Sequence, residues 1–399
     1  MRTGREPAAP SATPSGPRIY ALALLIPSAG TLPVFLTGGL AVQLQADLGF
    51  GASQLGIAVA VFFTASALGS TPAGRLAHRI GPARSMLLGG AIAIVALLGV
   101  ALIARSLLLL TVCLAVGGLA NSICQPGVND LLARGIAVGR QGLAFAVKQS
   151  AIPLSTLLGG LAVPLVALTV GWRWAFAAGA VLAVVAVALV PRGSATSAAA
   201  DERPAGGRLA VRPLVLLAIA GGFGSGAGGA VGSFLVASAV DVGIAERTAG
   251  FLLAGTSVFI IATRLLVGHL ADRRGGGFFG MVAIMLASGA TGFALLAAGE
   301  VPVFIAGALI ASVAGWGWPG LFQFAIVDHD RSIAALATGI TQTGVYTGGV
   351  AGPLVFGALA EHLSYSAAWL AAATSALTAA TMVVVGSRSL RRSAGPDRV

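Results

Sequence analysis

The chain has 399 residues, 57% of them hydrophobic and only 9% charged, with a mean hydropathy of +0.93. That composition belongs to a protein whose main solvent is lipid, and it excludes an ordinary soluble domain. The net charge of +11 would suit a nucleic-acid binder, but all basic residues except Lys148 and Arg264 lie in tails, in short connecting segments or at the ends of apolar runs, so no nucleic-acid partner is expected.

In hydrocarbon, backbone polar groups must be satisfied within their own segment, so runs of about 20 apolar residues read as spanning helices. In chain order they predict helices over 18–46, 52–77, 83–104, 107–133, 140–170, 172–191, 211–241, 247–271, 278–299, 301–327, 332–361 and 364–386. The opening segment, rich in Pro, Ser and Gly, predicts a disordered tail over 1–17, and the first run is too long for a signal-peptide core. The small polar residues of 192–210 suit a flexible linker between bundles over 18–191 and 211–386, with a second tail over 387–399. The expected fold class is an all-α membrane protein with twelve transmembrane helices.

With the N-terminus inside, 19 of the 24 basic residues fall on the cytoplasmic side and only Arg105, Arg173 and Arg247 outside. The positive-inside rule then places both termini in the cytoplasm, as expected for a multi-pass protein of a bacterial-type plasma (inner) membrane. Cys113 and Cys124 lie about 16 Å apart along one predicted helix, too far for a disulfide.

The chain also repeats itself. GRLAHRIG at 74–81 returns as GHLADRRG at 268–275, an offset of 194; Gln125-Pro126-Gly127 returns as Trp318-Pro319-Gly320 and Gln149 as Gln342, each at 193. Two parallel six-helix repeats are a transporter arrangement with a binding site near the midplane, between the halves.

The Gly-x-Leu-Ala-Asp-Arg-x-Gly motif after the second helix of each half resembles the signature loop of the major facilitator superfamily. The resemblance implies a twelve-helix transporter working by alternating access, with gating residues Gly74, His78, Arg79 and Gly81 in the first copy and Gly268, Asp272 and Arg273 in the second. Asp130, at the same end of the fourth helix, is grouped with them. The first copy departs from the family pattern: His78 replaces the usual aspartate and Pro82 follows Gly81.

Lys148, the only lysine, and Arg264 lie in otherwise uncharged apolar runs, about 12 Å from the cytoplasmic boundary at 1.5 Å per residue. A charge there costs roughly 2.5 to 3.5 kcal/mol on insertion scales and marks a functional site by default. The alternatives are snorkelling to the headgroups and pairing with Asp130. The run from Arg264 to Gly268 is similar to the substrate arginine of monocarboxylate and oxalate/formate transporters, which implies a carboxylate between Arg264 and Lys148. Asn121, Gln125, Gln149, Trp318, Gln323, Gln342 and Tyr346 complete the expected pocket.

Gly224-Ser225-Gly226-Ala227-Gly228-Gly229 matches a dinucleotide fingerprint only formally, since no strand precedes it; close helix packing is the simpler reading. No metal or nucleophile spacing appears, so no enzyme and no cofactor is expected. The leading expectation is a monomeric secondary transporter of a small organic anion, by proton symport or anion exchange. The alternative is a proton-driven drug or metabolite exporter. Against it, the exporter signature Gly-x-x-x-Gly-Pro has no match in the fifth helix, where Gln149-Ser150-Ala151-Ile152-Pro153 stands, and no membrane carboxylate is present.

Overall fold

A computed structural model describes residues 16–137, 140–191, 211–273, 276–329 and 334–393. Eleven described helices are long and apolar enough to span a membrane, and Trp172–Ala188 supplies a shorter twelfth segment. The first half comprises α1 (Gly16–Gly39, continued by Ala41–Leu48), α2 (Ala52–Ile80), α3 (Pro82–Ile103), α4 (Leu107–Gly135), α5 (Gln141–Gln149, Ala151–Ala162, π-helical Val163–Ala167 and Leu168–Val170) and α6 (Trp172–Ala188). The second comprises α7 (Val211–Asp241), α8 (Glu246–Arg273), α9 (Phe278–Leu296), α10 (Val301–Ile310, π-helical Ala311–Gly315 and Pro319–His329), α11 (Ala334–His362) and α12 (Tyr365–Ser393). Residues 1–15 of the tail predicted over 1–17, the linker 192–210 and residues 394–399 lie outside the described residues.

The predicted boundaries agree closely with these helices, with two corrections. Helix α1 starts at Gly16, inside the expected tail. Helix α12 continues through Ser393 instead of ending at 386, because Leu390 is buried and joins Leu214, Phe278 and Val383 in the core of the second half. Local chemistry explains several helix ends. Gly49 closes α1 in the left-handed conformation, and Gly81, at φ 84°, turns the chain into α3, whose first residue is Pro82. Proline there starts a helix, which accounts for its presence where the family resemblance implies a basic residue.

Helix α1 is buried along most of its length and lies between the α2–α6 ring and the second half. By contrast α3 and α6 expose Val95, Leu98, Leu102, Val181, Val184 and Val185, an apolar belt that only lipid accommodates. The glycines of α7 pack closely, as expected: Gly222 and Gly226 face Gly344, Gly348 and Gly352 of α11, while Gly228 and Gly232 face Trp316. Cys113 and Cys124 are free and buried.

Candidate functional site

The two halves meet along α1/α7, α2/α11 and α5/α8. On the far face, opposite the termini, the contact is tight. Gly38 abuts Gly232 and Ser233, Gly56 abuts Pro353, and Gly160 abuts Gly250 and Ala254. Two carboxylates of the second half add polar bonds there. Glu361 accepts from the Ser53 N–H at the start of α2 (2.7 Å), and Glu246 accepts from the Gln43 amide (2.6 Å).

Arg264 is only 2% exposed and joins the halves. It donates through Nη1 to the carbonyl of Gln149 on α5 and through Nη2 to that of Trp316 on α10, at 2.7 Å. Both acceptors are available because of local helix breaks. The Gln149 carbonyl would normally bond the N–H four residues on, but that residue is Pro153, which has none. In α10 the π-turn and residues 316–318 interrupt the helix before Pro319; Trp318 Nε1 takes the Gly315 carbonyl that Pro319 leaves unpaired, and Arg264 takes that of Trp316. Arg264 Nε stays buried without a partner.

Lys148, although on the adjoining residue to Gln149, serves a different contact. It reaches Asn129 on α4 at 2.6 Å, within its own half, and Asn129 is exposed toward the termini face. Lys148 and Arg264 thus each have a separate protein acceptor. The partner of Lys148 is the amide of Asn129, not the weighed Asp130. A narrow pocket lies on the termini side of Arg264, lined by Gly142, Ala146, Gly268, Gly320 and Phe324.

The uncharged candidates form two chains that meet between the halves. In the first half Gln125 donates to Asn121 (3.3 Å), Asn121 to Ser66 (3.1 Å), and Ser66 to the Gly118 carbonyl (2.9 Å). In the second, Gln323 donates to Gln342 (2.8 Å), and the Tyr346 hydroxyl adjoins both Gln342 and Ser70 of α2. Ser70 closes the link by donating to the Ser66 carbonyl at 2.7 Å. Sequence reasoning missed Ser66, Ser70 and Asn129. Ser70 was findable, because the repeat offset of 194 makes it the counterpart of Arg264. Trp318 proves to be a core residue, 1% exposed and packed on Phe322. Gln149 contributes its carbonyl, and its side chain lies beside Gly320.

Of the gating candidates, Gly268 packs on Ala146 and Gly142, whereas nothing lies within 4 Å of the position a side chain would take at Gly74. His78, Arg79 and Arg273 are exposed at the termini face, Gly81 is the turn already described, and Asp130 is half-buried and partnered. The side chain of Asp272 lies outside the described residues.

Two six-helix bundles meeting around a polar centre define a membrane transporter, and the chain belongs to the Major Facilitator Superfamily, whose family model matches residues 24–237. It is 28% identical over 393 residues to a chloramphenicol resistance protein of Streptomyces lividans, a match spanning 95% of this chain and 98% of that relative. Membership in this family points to transport rather than catalysis.

Proposed function

We propose that the chain exports a small, uncharged polar molecule, with the halves exposing a central site to the two sides in turn. The observation that carries this reading is the uncharged network of Asn121, Gln125, Gln323, Gln342 and Tyr346 at the junction, while both buried cations already have protein acceptors. The end-to-end similarity to a chloramphenicol resistance protein supports it and supplies a first probe. Expression in a sensitive bacterial host is expected to raise chloramphenicol tolerance and speed efflux of labelled drug. Each of Asn121→Ala and Gln342→Ala should lower efflux about five-fold, the worth of one hydrogen bond of about 1 kcal/mol. A host with unchanged tolerance and efflux would refute chloramphenicol as substrate, and undiminished efflux by both variants would remove the network from the site.

A second reading, transport of an organic carboxylate, is favoured by the unpartnered Nε of Arg264. Thermal stabilisation of the purified protein by a mono- and dicarboxylate panel separates the two readings, since an uncharged-solute site gives none. If a carboxylate binds, its transport should be exchange, or should show a pH dependence that disappears in Lys148→Gln, checked in proteoliposomes with imposed pH gradients. We place both termini and the linker in the cytoplasm of a plasma membrane, from the basic-residue distribution. Cysteines at Ser197 and Ser364 test this: an impermeant reagent added to intact cells should label position 364 and spare 197.

A further inference from the structure

We propose that the termini face of the second half holds a site for a phosphate-type anion between the start of α9 and the end of α12. The extension of α12 beyond Gly386 creates it. Leu390, 6% exposed, anchors that extension in the core, so Val384, Ser387, Arg388, Arg391 and Arg392, three or four residues apart, are held on one stripe. With Phe279 and Gly280 of α9 they surround a cavity of about 410 Å³.

Among the described residues no hydrogen bond or ion pair engages Arg388, Arg391 or Arg392, so three guanidinium groups converge with their donors available. The first turn of α9 carries no acidic residue, and Gly277 before it offers no capping side chain. Its N-terminal dipole therefore reinforces the positive potential. Arginine matches phosphate through paired N–H donors, and three such groups in one cavity are more than a scattered basic edge provides. The cavity wall adds Phe279 and Val384, apolar surface beside the charge, as a lipid phosphate with attached acyl chains requires.

The test is titration of delipidated full-length protein in detergent, read by native mass spectrometry, with phosphatidylglycerol, phosphatidylcholine and inorganic phosphate as three separate probes. Phosphatidylglycerol should bind and phosphatidylcholine should not. The triple variant Arg388→Gln/Arg391→Gln/Arg392→Gln should lose affinity on the order of 100-fold, at about 1 kcal/mol per arginine near a charged headgroup. A charge-matched control elsewhere on the same face, Arg75→Gln/Arg84→Gln/Arg140→Gln, should retain it. Arg391→Gln alone, expected to lose about five-fold by the same reckoning, keeps the test decisive if the triple variant unfolds. Inorganic phosphate binding with the same arginine dependence, without phosphatidylglycerol binding, would support the anion site and assign it to a free ion. Equal loss in both triple variants, or no loss in either, would overturn the site.

Discussion

The α5/α8 and α2/α11 crossings are related by the internal repeat, and they begin alike and end differently. On the far face, Gly250 lies against the Gly160 carbonyl, and its repeat equivalent Gly56 lies against the carbonyl of Pro353, the equivalent of Gly160. A methyl group on Gly250 would come within 2.7 Å of that oxygen, so in each case the absence of a side chain sets the backbone spacing. One level inward, Thr156 and Ser257 share a hydrogen bond at 2.9 Å, whereas the equivalent level of α2/α11 packs the Phe63 ring on Gly349. Further in, Arg264 binds the Gln149 carbonyl, while Ser70 adjoins Tyr346, which occupies the repeat position of Pro153. Toward the termini, Gly268 touches Ala146 and Gly142, but their equivalents Gly74 and Gly339 meet nothing within 4 Å. Glycine fixes the shared seal. Beyond it, close neighbours meet Gly268 in one crossing and none meets Gly74 or Gly339 in the other.

The strongest way to break this comparison is Arg264→Ala, which removes both bonds joining α8 to α5 and α10 and leaves two buried carbonyls without a donor. Thermal unfolding in detergent should show a loss of about 3 kcal/mol, with transport abolished. Arg264→Lys should recover less than half of that stability, because one ammonium cannot reproduce the fork. Unchanged melting of the alanine variant would mean that packing alone closes α5/α8.

Next in size is the contrast between equivalent glycines. Gly268→Val must displace Ala146 and the Gly142 carbonyl, which would lie 3.0 Å from the added Cβ. It is expected to cost about 2 kcal/mol, while Gly74→Val stays within about 0.5 kcal/mol. Equal losses at both positions, measured by the same unfolding assay, would refute the asymmetry at the termini face.

The smallest effect is expected at the open crossing. Tyr346→Phe keeps the ring but removes the hydroxyl that adjoins Ser70 and Gln342, lowering stability by about 1 kcal/mol. If the Ser70 contact provides much of that, adding Ser70→Ala should lower it little further, since the partners would not act independently. Additive losses would show that Tyr346 and Ser70 act separately.

Much of this was legible in the sequence, for reasons particular to lipid. The helix ends at Gly81-Pro82 and the far end of α7 at Asp241 follow from where apolar runs stop, because hydrocarbon admits few polar residues. The internal repeat likewise announced two equivalent halves. At the site, Lys148 and Arg264 are buried as their apolar runs implied, whereas the Gln323–Gln342 bond and the acceptors of the two cations could not be read from the sequence. Proline at 153 was visible in a stretch that lacks the exporter motif's glycine, yet the carbonyl it releases acquires meaning only when Arg264 arrives from 115 residues away.

Composition and residue spacing alone establish that this chain crosses a membrane in two similar groups of six helices and buries two positive charges. Those properties depend on transfer from water to lipid and on spacing along one chain, both written locally. It takes the packed helices to show that Lys148 turns to Asn129 inside its own half while Arg264 joins the two halves, and that α12 carries three arginines past the expected helix end. Those outcomes depend on which backbone carbonyls a neighbouring helix leaves unpaired and on whether Leu390 finds a core to enter, and both are settled by packing between distant segments.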